Sequence, residues 1–241
     1  MKKKFYEELY LLEEKHWWLV AKREISIKLL RSFSGKKRLK ILDIGCGTGK
    51  NIESFSKLGK TWGIDISPQA INYCKKRGIK NIKLGNAEKT GYRTESFDVV
   101  TLLDVLEHVD DNKTLKEIYR ILKPKGILIV SVPAYQSLWS RWDEALHHKR
   151  RYNKKSLQML FKENHLKLKK ISYMFSFLLP PVFILRKIKS FLYSNDYPSD
   201  FRLAPPLINL IMLNISRIEH KLVLKNSVPF GTSIICVLSK K

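Results

Sequence analysis

The stretch Ile41-Leu42-Asp43-Ile44-Gly45-Cys46-Gly47-Thr48-Gly49 decides how the rest of the chain reads. A short apolar run of strand-forming residues ends where alternating glycines let the backbone turn sharply and approach a ligand with no Cβ in the way. The segment from Asn51 to Leu58 reads as the helix that this turn opens. Asp43 interrupts the apolar run, and a carboxylate buried there costs desolvation unless it is paired, which suits a place near a cationic ligand.

Outward from the turn, strands and helices alternate. Trp62 to Ile66 is a second strand carrying Asp65 near its end, about 20 residues on, where an acid can accept from ribose hydroxyls. Ser67-Pro68 supplies an N-cap and a first-turn proline, and the helix it starts stops near Gly78. Asn81 to Leu84 and Phe97 to Leu103 are the third and fourth strands. Asn112 to Leu122 is a helix closed by Lys123-Pro124-Lys125-Gly126, and Ile127 to Val132 is the fifth strand. Ser156 to Asn164 is helical, Leu166 to Tyr173 is a sixth strand and Thr232 to Leu238 a last one. Continuous apolar strands in this alternation predict an α/β fold, a doubly wound and mostly parallel sheet covered on both faces. The loop is G-x-G-x-G rather than G-x-G-x-x-G, and its acidic strand suits a pyrophosphate poorly, which argues against a dinucleotide.

Upstream, Leu9, Leu12, Trp17, Val20, Ile25, Ile27 and Leu30 recur at helical spacing, so residues 1–37 read as a helical lid or cap. The core domain is expected over 38–172 plus 228–241. Residues 173–227 form an apolar and basic insertion between the last two strands. Its apolar runs are each shorter than the roughly 20 residues that cross a bilayer. It reads as an element that lies at an anionic membrane surface or holds the acceptor, or else as a cap or dimer interface.

The chain has 241 residues, enough for one buried core plus an elaboration. Its formal net charge of +24 attracts polyanions: nucleic acid, anionic lipid or phosphorylated compounds. Cys46, Cys74 and Cys236 show no zinc or disulfide spacing, and the N-terminus has no signal-peptide core. Both point to the cytoplasm, with a peripheral place on the inner face of the cell membrane as the refinement.

Together the quoted motifs resemble the class I S-adenosylmethionine-dependent methyltransferases. Residues 41–49 look like the family's first motif and Gly63 to Ser67 like its ribose-binding acidic motif. Gly85-Asn86-Ala87-Glu88 looks like the adenine turn, and Phe97 to Val109 like the fourth strand and its loop. The resemblance implies a Rossmann-like seven-stranded sheet with an antiparallel last strand, and S-adenosylmethionine as cofactor. It places Gly45, Gly47 and Gly49 against the methionine portion, Asp65 on the ribose and Asn86 and Ala87 near the adenine. Asp43, Cys46, Ile66 and Leu103 join this set. His16, Trp18 and Arg23, in a His-Trp-Trp leader, are expected as a lid over the cofactor, with core packing of the tryptophans as the alternative. The leader, the His-x-Arg-Arg-Tyr segment and the Pro-Phe-Gly-Thr-Ser ending (Pro229 to Ser233) resemble a bacterial and archaeal subgroup of type 11/12 methyltransferases associated with glycolipid or polyprenyl metabolism.

Methyl transfer from a sulfonium is an in-line displacement that positioning can largely supply. A base is needed only for a protonated nucleophile such as a hydroxyl. His108, after the fourth strand, is one candidate. Another lies after the fifth strand, where Asp143 could orient His148, and Arg150, Arg151 and Tyr152 supply donors for a phosphate or carboxylate. Glu107 and His108 together lack further recognisable metal ligands, so no metal is expected. The acceptor is read as a small or lipid-linked molecule, anionic or membrane-embedded, such as a polyprenyl, glycolipid or quinone-like compound. An RNA methyltransferase and a non-catalytic cofactor-binding adaptor are the alternatives. Leu103-Asp104-Val105-Leu106 stands where a base-methylating enzyme would carry an Asn-Pro-Pro-Tyr-like signature, which argues against nucleic acid.

Overall fold

Helices α1 (Lys3–Leu12) and α2 (Trp17–Ser34) precede β1 (Leu39–Ile44), and the glycine turn then leads into α3 (Lys50–Phe55). The alternation continues through β2 (Gly59–Asp65), α4 (Pro68–Lys76), β3 (Ile82–Leu84), β4 (Phe97–Leu103), α5 (Asp111–Ile121) and β5 (Leu122–Pro133). Helices α6 (Arg141–Ala145) and α7 (Lys154–Glu163), strand β6 (Leu166–Met174), helix α8 (Pro206–Lys225) and strand β7 (Ser233–Lys240) complete it. This is a computed structural model, and it describes residues 3–35, 38–184 and 203–241.

The seven strands form one sheet in the order β3-β2-β1-β4-β5-β7-β6. β1 pairs in parallel with β2 and β4, while β7 lies antiparallel between β5 and β6. The chain winds outward from β1 to β3 and then returns to β4 on the other side of β1. The carboxyl ends of β1 and β4 therefore diverge at a switch point, the position where folds of this kind open a crevice. Helices cover both faces because the central strands are largely apolar on both sides; Val99, Val100, Leu102 and Leu128 are fully buried.

The expected strands and helices form within a few residues of the sequence reading. One local difference concerns Lys123-Pro124-Lys125-Gly126, which leads into β5 rather than closing α5. Leu122 already pairs with Phe97, and the register slips between Phe97 and Val99 to absorb these residues.

The insertion resolves in part. Its run Arg186-Lys187-Ile188-Lys189 lies outside the described residues. Its later part is α8, started by a proline at the first turn and packed on α2. Asn209 pins it there, accepting from the Trp17 amide at 2.9 Å and donating to the Lys15 carbonyl at 2.8 Å. Arg217 pairs with Glu24 at 2.6 Å. Glu219 accepts the Phe175 and Ser176 amides, holding a turn in which Phe175 takes the left-handed φ of 58°. The opposite face of α8 stays open, with Leu207, Ile211, Ile215, Ile218 and Leu222 exposed in one stripe. No helix among the described residues is long and apolar enough to cross a membrane.

Candidate active site

A cavity of about 590 Å³ opens over the switch point. Half of it is built by the strand ends that the sequence singled out. Gly45, Cys46 and Gly47 form one wall, Asp65 and Ile66 the next, and Asn86, Ala87 and Leu103 the far side. The glycines are required sterically. Gly45 has φ 70°, and a Cβ there would lie 2.2 Å from Val105; Gly49 has φ 93° and would meet Ile79 at 2.5 Å. Gly49 does not line the cavity but starts α3, so its part is to let that helix turn in beneath the loop.

Asp65 bridges two turns, accepting from the Gly47 and Ser67 amides at 2.9 Å each. Burial raises its pKa, and the backbone donors pull the other way. Asp43 sits beneath the loop rather than on the cavity wall. Thr101 donates to one of its oxygens at 2.6 Å, the other has no partner, and burial pushes its pKa up to about 7.

Helix α1, part of the stretch 1–37 expected as a lid or cap, supplies the roof. Phe5, Tyr6 and Leu9 line the cavity, and Leu9 lies 3.4 Å from where a Gly47 Cβ would be. Glu13 clamps this roof down. It accepts from the Thr48 hydroxyl and from Arg77 at 2.7 Å, while Arg23 donates to its carbonyl at 2.9 Å. His16, Trp18 and Arg23 do line the cavity. Each also has a structural partner: His16 caps α2 by accepting from the Trp18 amide, and the Lys22 ammonium lies 3.6 Å over the Trp18 ring.

The other half of the cavity is polar at its floor. After β4 the chain reverses at Asp104, which takes φ 55° and is held by Lys22 and by the Ser131 hydroxyl. The 3-10 turn Leu106–His108 follows. The Lys149 amide donates to the Glu107 carbonyl at 2.8 Å, which carries His148 against this turn. The His108 and His148 rings stand 4.7 Å apart, edge to face. His148 Nδ1 meets Asp143 at 2.8 Å, and Asp143 is fully buried with Arg151 bidentate on it at 2.7 and 3.0 Å. These donors hold the Asp143 carboxyl well below its usual range. Burial and the His148 ring hold His108 down to about 4.

Two expectations about donors change here. Arg151 lines the cavity, but its guanidinium is taken by Asp143. Arg150 pairs with Asp111 at 2.7 Å, and the Tyr152 hydroxyl donates to the Leu106 carbonyl at 3.2 Å; neither residue lines the cavity. The buried Asp143 claims Arg151, because a lone buried charge would cost far more than the pair, while Arg150 and Asp111 form a partly exposed pair.

Residues 42–130 match the family model described as a methyltransferase domain. The match covers somewhat over a third of the chain. An uncharacterised protein of Methanocaldococcus jannaschii is 40% identical over 116 residues, 48% of this chain and 49% of that protein. A ubiquinone biosynthesis O-methyltransferase of Schizosaccharomyces pombe is 41% identical over 109 residues, 41% of this chain and 38% of that one. The chain thus spans half or less of the length of these relatives. A Thermotoga maritima structure described as an S-adenosylmethionine-dependent methyltransferase, possible histamine N-methyltransferase, superposes with a TM-score of 0.61. It shares 21% identity, over 99% of this chain and 96% of that one.

The glycine-loop half of the cavity fits S-adenosylmethionine on chemical grounds. Asp104 and Glu13 are paired with Lys22 and Arg77, but Asp65 is held by backbone amides and one Asp43 oxygen below the loop has no partner, so this end of the cavity keeps acid suited to a cationic ligand. At Gly45 a Cβ would strike Val105, so the loop can take this path along the cavity only with glycine there.

Proposed function

We propose that this chain methylates a small, lipid-linked or membrane-embedded acceptor with S-adenosylmethionine. The observation that carries this is one cavity with an acidic glycine-loop half and a Glu107–His108–His148 floor. S-adenosylmethionine supplies an electrophilic methyl group on a sulfonium, with a neutral thioether as leaving group. Asp65 and the glycine loop hold one end of the cavity, and Trp142, Leu138 and Leu146 frame the acceptor end. A hydroxyl acceptor must lose its proton at the floor, where His148 is oriented by Asp143. Arg151, Arg150 and Tyr152 are positioning residues in this reading, since they act through Asp143, Asp111 and the Leu106 carbonyl.

Support for a lipid-like acceptor comes from two sides. Similar proteins are described as ubiquinone biosynthesis O-methyltransferases and a demethylmenaquinone methyltransferase. Leu178 and Val182 line the cavity, and next to them Phe183 and Ile184 are exposed, so an apolar path runs from the surface inward.

Calorimetric titration with S-adenosylhomocysteine tests the reading. Micromolar binding is expected, weakened at least about 100-fold in Asp65→Ala, which loses a buried bridging acceptor. Near-normal affinity in that variant overturns the ribose assignment, and no binding by the wild type overturns the function.

A further inference from the structure

We propose that Glu107, His108 and His148 form a binding site for a divalent transition-metal ion, open toward the acceptor half of the cavity. Each offers one ligand atom, and these atoms lie within 4.8 Å of one another. Two imidazoles and one carboxylate are the donor set that zinc, manganese and ferrous iron take in sites that keep positions open for a substrate.

Three independent observations converge on this cluster. Glu107 is fully buried, and neither of its carboxylate oxygens has a hydrogen-bond partner. A protein rarely buries a carboxylate with no donor, and a cation held by this carboxylate would supply the partner it lacks. Lys22 does not fill it, because its ammonium is paired with Asp104. Second, His148 gives Nδ1 to Asp143, which leaves Nε2 as the coordinating nitrogen. A carboxylate behind a histidine is the usual outer support of a metal-ligating imidazole. That support is itself braced, by Arg151 on both oxygens and by the Ser140 amide at 2.8 Å. Third, all three ligands line the cavity, so the ion would face the acceptor rather than bulk protein. Bond lengths near 2.1 Å require the side chains to close on the ion by roughly 1 Å.

The sequence could not show this site, because His148 reaches Glu107 only through the Lys149 amide contact across the cavity floor. The ion's part in catalysis rests on the function proposed above. A bound cation lowers the pKa of a coordinated hydroxyl. With an ion bound, His148 would be its ligand rather than the base, and the acceptor's proton would leave to water; the oxygen lone pair would form the new C–O bond and the pair of the broken C–S bond would stay on sulfur.

The test uses tag-free full-length protein, stripped with a chelator and titrated with Zn²⁺ alone and with Co²⁺. One ion per chain is expected, with visible absorption of cobalt in a nitrogen–oxygen site. Glu107→Gln and His148→Ala should each weaken uptake by at least about 100-fold, and Asp143→Asn by about tenfold. Melting temperature and S-adenosylhomocysteine affinity, both near wild type, confirm that the variants fold. Absence of stoichiometric uptake overturns the proposal, as do variants that bind as tightly as wild type. Loss of S-adenosylhomocysteine binding with metal uptake intact overturns the methyltransferase reading and leaves the metal site standing. Turnover unchanged by chelation removes the catalytic role assigned to the ion.

Discussion

At the scale of single residues, the acids under and beside the glycine loop carry the most testable physics. Asp43 was legible as an anomaly, an acid in an apolar strand, but its partner was not. Thr101 reaches it from the neighbouring strand β4, where Asp43 and Thr101 stand in register. Its folded pKa is raised to about 7, chiefly by burial, with Asp65 and Glu13 adding to the rise and Thr101 opposing it. The folded state therefore binds this proton more tightly than the unfolded chain does. Stability from Asp43 is full below about pH 4 and is lost as pH rises toward about 7. Asp43→Asn keeps the shape and removes the titration. The melting-temperature difference between variant and wild type should shift in the variant's favour by about 10 °C between about pH 4 and pH 7, levelling off above about pH 8. A difference that does not change with pH would show that Asp43 titrates as an ordinary carboxylate. The arginines teach the complementary lesson. Arg150 and Arg151 were legible as donors, yet Asp111 and Asp143 claim them, and such pairings depend on a tertiary proximity that residue type alone does not reveal.

At the scale of elements, strands were the most legible feature because continuous apolar runs of this length have few alternatives. Helix α8 was harder, since Leu203 to Ser216 carries no charge and gives no polar face to read. The structure separates its two sides. Ser216, Glu219, His220 and Val223 are buried, while Leu207 is 69% and Ile218 63% exposed. A helix that has already packed one face on α2 and still presents an aliphatic stripe has a second apolar surface to cover. If the acceptor is membrane-embedded as proposed, this stripe is the surface to meet anionic lipid, with Lys221 and Lys225 exposed at its C-terminal end. Ile211→Glu with Ile218→Glu should cut partitioning into phosphatidylglycerol vesicles by at least about tenfold, since each side chain contributes on the order of 1.5 kcal/mol when buried. The melting temperature should hold, as both positions face outward. Undiminished vesicle binding would move the contact away from α8.

At the scale of the molecule, the winding order was legible and the cavity was not. Alternation of strands and helices implies the sheet, but the roof from α1, the floor from the Leu106–His108 turn and the wall from the segment after β5 meet only in three dimensions. The net charge of +24 acts at this same scale, and its meaning depends on what it accompanies. Charge alone fits a polyanion of any kind. Charge beside an aliphatic stripe predicts two separable contributions, one screened by salt and one not. Raising NaCl from about 50 to about 300 mM should lower the affinity for phosphatidylglycerol vesicles by about tenfold, then level off at the binding shown by neutral phosphatidylcholine vesicles. That residual is the apolar contribution of α8, and it should vanish in the double glutamate variant while the salt-sensitive part persists. A nucleic-acid surface would behave differently, because counterion release makes log affinity fall linearly with log salt and leaves no plateau. Steep, plateau-free binding to structured RNA, with no vesicle binding at any lipid composition, would assign the basic surface to RNA and replace the lipid-linked acceptor.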